Sequence, residues 1–221
     1  MIFITGDTHG DIDYDKLLSL KEKHISHDDY LLICGDCGIC WSPRLLDEFL
    51  NLYNAIGCTI IFVDGNHENF HMINEFPIVE YKGARMHQID EHIYHVIRGE
   101  IMTLENKTFL CLGGAVSTDR YLRTPNVSWW EEECITDADI DNAVFNLQKY
   151  HNEVDYVITH CVDSHTVLRK IGYRIDKSSD QLNTIDLICK YKHWFFGHYH
   201  LDRKVDEKKT CLYQSIIQLE D

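Results

Sequence analysis

The sequence predicts an α/β protein in which helices cover the faces of a largely parallel sheet. Three observations support this class. Short apolar runs, typical of strands, alternate with amphipathic stretches typical of helices. Several of the runs end directly in a polar motif rich in Asp, Asn or His. The chain of 221 residues, 44% of them hydrophobic, is also long enough to bury a sizeable core.

The first third of the chain predicts strand-helix-strand units. The runs IFIT at 2–5, YLLIC at 30–34 and TIIFV at 59–63 are expected to be strands. Residues 13–24 and 43–56 are expected to be crossover helices, the second with Ser42 as its N-cap and Pro43 in its first turn. Right-handed crossovers of this kind pair the strands in parallel, so the loops at their carboxyl ends collect at one edge.

The pattern changes in the remainder of the chain. The run HIYHVIRGEIMTL at 92–104 and the run TFLCLGG at 108–114 flank the polar turn 105–107, which predicts a hairpin. The segments VDYVITH, HWFFGHYH and CLYQSIIQL are expected to supply later strands, the last of them an end strand. The acidic triplet at 131–133 is expected to be the solvated start of a helix.

Five short motifs occur in order along the chain, each behind a strand-like segment. They are GDTHGD at 6–11, GDCG at 35–38, GNHE at 65–68, TH at 159–160 and GHYH at 197–200. Each motif alone is weak because such short strings recur by chance. Five of them in order make a purely structural explanation improbable, since folding can bring all five loops to one edge.

The motif side chains have the chemistry of a metal centre. The candidate ligands are Asp7, His9, Asp36, Asn66, His160, His198 and His200. They offer oxygen and imidazole nitrogen but no thiolate, a set that suits manganese, iron or zinc. We expect two divalent ions, with manganese favoured and iron or zinc as alternatives. Asp36 is the candidate bridge, and a water between the ions would lose a proton near neutral pH to give a hydroxide placed for in-line attack on phosphorus.

The order and content of these motifs resemble the calcineurin-like metallophosphoesterase family, and the match spans positions 7–200. The resemblance implies a four-layer α-β-β-α sandwich of two mixed sheets flanked by helices, with segments 137–151, 164–171 and 180–191 as helices of the second outer layer. It also implies two ligand sets that share one carboxylate. One set is Asp7, His9, Asp36 and His200, and the other is Asp36, Asn66, His160 and His198.

The resemblance also assigns roles around the substrate. His67 would contact the phosphate and protonate or orient the leaving oxygen, whereas Glu68 would support the site rather than catalyse. Many relatives carry an Asp-Arg pair after the second motif, which this chain lacks. We therefore expect Arg120 and Arg123 as substitutes that bind substrate, with surface arginines in a mobile loop as the alternative.

The aromatic pair that follows these arginines has two explanations. Trp129 and Trp130 are candidates for stacking on a base. Burial of both rings against the sheet is the favoured alternative, because tryptophan can bury a large area.

The predicted function is hydrolysis of a phosphate ester, with a phosphodiester of a nucleotide or short nucleic acid favoured as substrate. The alternatives are a phosphomonoesterase of the protein-phosphatase kind and a noncatalytic interaction protein on the same fold. The net charge of −15 argues against long duplex nucleic acid, since nonspecific affinity comes mainly from basic surface. Protein partners are not predicted.

The cysteines and the first residues of the sequence indicate where in the cell the protein is expected to be. Nine cysteines lie largely inside strand-like or helical runs, which favours reduced thiols over a secreted disulfide framework. Cys34, Cys37 and Cys40 have the spacing of an iron-sulfur run, but the position of a fourth ligand holds Arg44. The start MIFITGD has no signal-peptide or membrane-span pattern. We therefore expect one cytoplasmic domain over residues 1–221, with no membrane association.

Overall fold

The computed structural model describes residues 1–220, so Asp221, the last residue of the predicted domain, lies outside it. Two sheets dominate the architecture. Their strands are β1 (Ile2–Thr5), β2 (Tyr30–Cys34), β3 (Thr59–Val63), β4 (Ile78–Tyr81), β5 (Ala84–Asp90), β6 (Ile93–Val96), β7 (Glu100–Leu104), β8 (Lys107–Leu112), β9 (Tyr156–Thr159), β10 (His193–Phe196), β11 (Arg203–Lys204), β12 (Lys209–Cys211) and β13 (Ile217–Gln218).

The helical segments are shorter and lie mostly between strands. The α-helices are α1 (Leu18–Lys21), α2 (Leu46–Asn54), α3 (Phe70–Ile73), α4 (Asp137–Lys149), α5 (Ser164–Thr166) and α6 (Lys177–Ile188). Short 3-10 turns occupy Tyr14–Leu17, Arg120–Leu122 and Glu131–Glu133, and α5 continues into a wider π turn over Val167–Ile171. Among residues 1–220, no helix combines the length and the apolar character needed to cross a bilayer.

Both sheets have a parallel centre with antiparallel edges. The first runs in the order β13-β1-β2-β3-β6-β5-β4, with β1, β2, β3 and β6 parallel. The second runs in the order β11-β12-β10-β9-β8-β7, with β12, β10, β9 and β8 parallel. Because parallel neighbours end at the same edge, each sheet gathers its motif loops at one end.

Three apolar layers hold these elements together. Alternation along β1 sends Ile2 and Ile4 into the layer between the sheets, and sends Phe3 to the opposite face under α2. The layer outside the second sheet packs α4 and α6 against strands such as β9 and β10. The order helix, sheet, sheet, helix confirms the expected four-layer α/β sandwich with two mixed sheets.

The predicted strands at 2–5, 30–34 and 59–63 are confirmed at these bounds, whereas the first two helices are shorter than expected. The helix expected over 43–56 begins at Leu46, because Ser42 forms a turn instead of a cap, with its carbonyl oxygen accepting from Leu45 N at 3.0 Å. Residues 13–24 form only one 3-10 turn and the four-residue α1.

Two apolar runs that look continuous in the sequence divide between the sheets. The run 92–104 breaks at Gly99, whose φ of +83° is left-handed, so its first part forms β6 of the first sheet and only β7 pairs in the hairpin with β8. The segment CLYQSIIQL divides in the same way between β12 and β13. The hairpin and end-strand predictions are therefore wrong in extent. The triplet 131–133 is also not solvated throughout, because Glu133 is buried and accepts from Ser117 N at 2.8 Å.

A buried ion pair joins the third motif loop to the connection between β6 and β7. Asp64 accepts from Arg98 through both carboxylate oxygens and lies 3.1 Å from Nε2 of His95. Arg98 also donates to the carbonyl oxygen of Cys134 and to Asp139 at the start of α4. The charges of Arg98 and His95 hold the pKa of Asp64 well below its usual range in spite of burial.

We predict that Arg98→Met lowers the free energy of unfolding by about 3–5 kcal/mol, because it leaves the Asp64 carboxylate buried without its partner. Urea unfolding of the metal-free protein measures this loss. Lys192→Met is the matched control, since the Lys192 side chain is 73% exposed beside Asp155 and its loss should change the free energy of unfolding little. Equal losses in the two variants would contradict the stabilising role of the Asp64 pair.

Candidate metal centre

The motif loops of both sheets meet at one place. Backbone hydrogen bonds join them directly: Asp7 N donates to Gly35 O at 3.0 Å, His9 N to Asp36 O at 2.8 Å and Gly197 N to His160 O at 2.9 Å. These bonds tie the loop after β1 to the loop after β2, and the loop after β10 to the loop after β9. The seven candidate ligands are thereby brought into one cluster at the carboxyl ends of five strands.

Asp36 lies at the middle of the cluster. Its Oδ1 accepts from the backbone N of His67 at 2.7 Å, which fixes the plane of the carboxylate. Its Oδ2 lies 3.3 Å from Nε2 of His9 and 3.3 Å from Nε2 of His160, one imidazole from each sheet. A carboxylate oxygen placed between two imidazoles from opposite sides is suited to face two ions.

Asp7 is fully buried beside Asp36. Both of its carboxylate oxygens accept from the backbone N of His198 at 3.0 Å, and Oδ1 lies 3.5 Å from Nε2 of His200. Burial raises the pKa of Asp7 to about 7 against the opposing charge of His160. A buried carboxylate of this kind gains most from a nearby cation.

His160 and Asn66 are oriented by bonds on the side away from the cluster. Nδ1 of His160 donates to the carbonyl oxygen of Cys34 at 2.8 Å, which leaves Nε2 facing Asp36 and 3.2 Å from Oδ1 of Asn66. The amide nitrogen of Asn66 donates to Oγ of Ser117 at 3.2 Å. Partners that fix the outer atoms of ligands in this way are typical of metal sites.

The three remaining histidines line the open side. His9 keeps Nε2 toward Asp36 because its Nδ1 bonds to Oδ2 of Asp13 at 2.7 Å. The His198 ring packs edge-on against His160 at 5.0 Å between centroids. His200 is half exposed and stacks on Tyr213 at 4.5 Å, and the Tyr213 hydroxyl donates to Asp13.

Five of the candidate ligands have left-handed backbones. Asp7, His9, Asp36, His198 and His200 have φ values between +46° and +68°. Residues with a Cβ rarely adopt this conformation, and each instance costs of order 1–3 kcal/mol where it persists. Such strain at consecutive ligand positions is characteristic of a functional site.

His67, the candidate catalyst, is held by Arg123. The guanidinium nitrogens Nη1 and Nη2 lie 3.2 Å from Nδ1 and 3.1 Å from Nε2 of the ring. Arg123 is itself fixed by Asp119 and by the carbonyl oxygen of Ser128. Burial lowers the pKa of His67, Arg123 lowers it further, and Asp36 opposes them.

The other residues that the sequence singled out lie farther from His67 or support the loops. Arg120 does not reach His67. It lies over Trp129 at 5.7 Å and lines a neighbouring cavity, whereas Trp130 is buried. Glu68 is buried and accepts from Cys37 N at 2.7 Å, and burial raises its pKa to about 8. The spaced cysteines diverge, with Cys34 between the sheets and Cys37 and Cys40 on the outer face.

Among residues 1–220, three groups of side chains converge closely enough to hold a cation. Within each, the donor atoms lie within 4.8 Å of one another. The groups are Asp7 with His9 and His200, Asp7 with Asp36 and His160, and His9 with Asp36 and His67. Carboxylate oxygen and imidazole nitrogen fit divalent manganese, iron or zinc.

Comparison with known proteins agrees with this arrangement. A family model described as calcineurin-like phosphoesterase matches residues 1–202. The chain belongs to this family. No curated protein matches the calcineurin-like chain described here.

Solved structures resemble the calcineurin-like chain at low identity. TT1561 of Thermus thermophilus is 12% identical, with 89% of this chain and 80% of that chain covered and a TM-score of 0.51. The phosphopantetheinyl hydrolase PptH from Mycobacterium tuberculosis is 14% identical, with 96% and 89% covered and a TM-score of 0.47. The TT1561 likeness shows a shared fold, and neither likeness reveals the reaction.

Several supporting residues have no motif of their own in the sequence. Lys16 donates to the carbonyl oxygens of Gly6, Asp7 and Tyr213, and thereby joins the first motif loop to a segment about two hundred residues away. Ser117, Asp13 and Tyr213 act on Asn66, His9 and His200. Of these residues, only Asp13 could be connected with the site from the sequence, because it lies close to the first motif.

We predict that Gly65→Ala abolishes metal binding, because a Cβ at Gly65 would lie 2.0 Å from Oδ1 of Asp36 and displace the carboxylate. Metal content after reloading measures this. Gly57→Ala is the control: its Cβ meets open space, although its φ of +90° is unfavourable for alanine, so it should lose some stability and keep its metals. A Gly65→Ala protein with full metal content would contradict the placement of Asp36.

Proposed function

We propose that this chain hydrolyses a phosphate ester at a centre of two divalent ions, and that the substrate is a phosphodiester of a nucleotide or short nucleic acid. The observation that supports this most is the position of Asp36 Oδ2, 3.3 Å from imidazole nitrogens of both sheets. Asp36 with Asp7, His9 and His200 would hold one ion, and Asp36 with Asn66, His160 and His198 would hold the other. Manganese is the favoured ion, with iron or zinc as alternatives.

The bound ions would supply positive charge for the phosphate and lower the pKa of a water that attacks phosphorus. The protein supplies placement and a proton. Asp36 and Asp7 fix the positions of the ions, since both carboxylates are anchored by backbone N–H groups. His67 faces the same space from a ring held by Arg123, and an arriving phosphate anion would raise its pKa and favour the protonated form. The guanidinium of Arg123 contacts both ring nitrogens, so it would turn to the arriving phosphate and free the ring of His67 to donate a proton to the leaving oxygen.

Room for two ester groups supports a diester. One cavity of about 330 Å³ is lined by His9 and His67. Another of about 460 Å³ includes Ser117, which contacts Asn66, and the cationic side chain of Arg120. The first cavity borders the candidate centre through His9 and His67, and the second lies one contact away through Ser117, which supports the proposal that each takes one substituent of a diester.

We predict different losses for the bridging and proton-donating residues. Asp36→Asn should impair binding of both ions, while His67→Ala should keep them and lose roughly 10²- to 10⁴-fold in turnover, as for a positioned acid-base group. Metal analysis and steady-state rates of the purified variants measure this. Asp28→Asn and His24→Ala, at exposed positions, are the matched controls. If Asp36→Asn keeps two ions and full rate, Asp36 is not the bridge; if His67→Ala loses metal, His67 is a ligand.

We predict that metal-free protein reloaded with Mn, Fe, Zn or Mg cleaves a chromogenic phosphodiester in preference to the matching monoester. Asp36→Asn serves as the inactive control. Preferential monoester cleavage would favour a phosphatase of the protein-phosphatase kind. Absence of metal-dependent hydrolysis of either ester would favour an interaction protein on the same fold.

A cytoplasmic location remains part of the proposal, supported by nine unpaired cysteines.

A further inference from the structure

A cavity with apolar walls opens directly beside the candidate catalyst. Its volume of about 330 Å³ falls within the range of small-molecule sites. His9 and His67 form the side next to the candidate centre. The opposite walls are Ile12, Trp41, Leu45 and Phe49.

Backbone packing forms and preserves this space. Gly38 lines the cavity with a φ of +76°, and a Cβ there would lie 2.3 Å from the backbone N of Gly10. A Cβ on Gly10 would in turn lie 2.7 Å from the ring of Phe49. Residues with side chains are therefore excluded at both glycines, and the first two motif loops pack against the Phe49 ring without filling the space.

The aromatic wall is held in place. The ring of Trp41 lies 6.1 Å from the ring of His67 and packs edge-on against the buried Trp130 at 5.7 Å. Phe49 is 5% exposed and belongs to the core under α2. In contrast, Leu45 and Ile12 are 37% and 79% exposed, so the cavity is open to solvent on their side.

The charge at the rim selects among possible occupants. Asp11 lines the cavity, and its carboxylate would repel a second phosphate on the group that enters. The cationic residues Arg120, Arg174 and Lys177 line the other cavity instead. The cavity beside His67 therefore favours an uncharged ring over an anionic chain.

We propose that the cavity of Ile12, Trp41, Leu45 and Phe49 binds an uncharged aromatic ring on the leaving side of the phosphate ester. This inference rests on the proposed function, because His67 defines the leaving side by donating a proton to the leaving oxygen. Flat rings gain from stacking on aromatic side chains, and the half-buried Trp41 supplies such a surface. Esters with an aromatic leaving group are then preferred over esters with a small aliphatic one.

Two phosphonates that cannot be hydrolysed at an ester bond test the cavity separately from the reaction. Metal-reloaded protein is titrated calorimetrically with phenylphosphonate and with methylphosphonate, which share the anionic group and differ in the ring. We expect phenylphosphonate to bind at least about tenfold more tightly, as a stacked ring typically allows. Equal affinities in the unmodified protein would overturn the assignment of the cavity.

Variants of the wall locate the preference. Leu45→Trp should fill the cavity and Trp41→Ala should remove its stacking surface, and each should abolish the preference while methylphosphonate affinity stays unchanged. Leu187→Trp, at a side chain 85% exposed on α6, is the control and should keep the preference. Retention of the preference in Leu45→Trp would place the ring elsewhere and overturn the proposal. If neither phosphonate binds to protein that holds its metals, the proposed function fails and this inference fails with it.

Discussion

The candidate centre depends on the fixed position of one carboxylate. The backbone N–H of His67 holds Oδ1 of Asp36. This hydrogen bond fixes the orientation of the carboxylate, with Oδ2 between His9 and His160. His160 reaches this place only because the second sheet packs on the first and lets Nδ1 bond to the carbonyl oxygen of Cys34. The packing of the two sheets therefore determines the geometry of the site, since the first sheet supplies four of the seven candidate ligands and the second supplies three.

Strain is concentrated where this geometry is set. Asp7, His9 and Asp36 take left-handed conformations after two parallel strands, and His198 and His200 do so after a third. Hydrogen bonds between loops and from Lys16 hold these turns. Bound cations would compensate further, because Asp7 and Asp36 are both buried and repel each other. The conformational cost therefore lies in the loops, while the strands below them remain regular.

The sequence predicted the secondary structure best where a local apolar pattern alone determines the element. The strands at 2–5, 30–34 and 59–63 could be predicted because each is a short apolar run that ends in a motif, and the four-layer fold followed from the family resemblance. The division of 92–104 between two sheets was missed although Arg98, Gly99 and Glu100 interrupt the apolar run, because the change of pairing partner depends on how the two sheets pack. The sequence predicted that Arg123 could reach the site, but not that it contacts His67. The cavity wall at Trp41 was not predicted, because it depends on packing between segments that are distant in the chain.

The first sheet also has a consequence for the order of folding. Strand β13 pairs with β1, Ser215 accepts from Thr5, and Tyr213 accepts from Lys16, across separations of about two hundred residues. Contacts so distant in the chain slow folding, because large loops must close before they form. During synthesis the edge of β1 stays unpaired until residues 213–218 have left the ribosome, which exposes a strand to association with other chains. The pairing of β13 with β1 therefore both completes the first sheet and covers an edge that would otherwise be open to association.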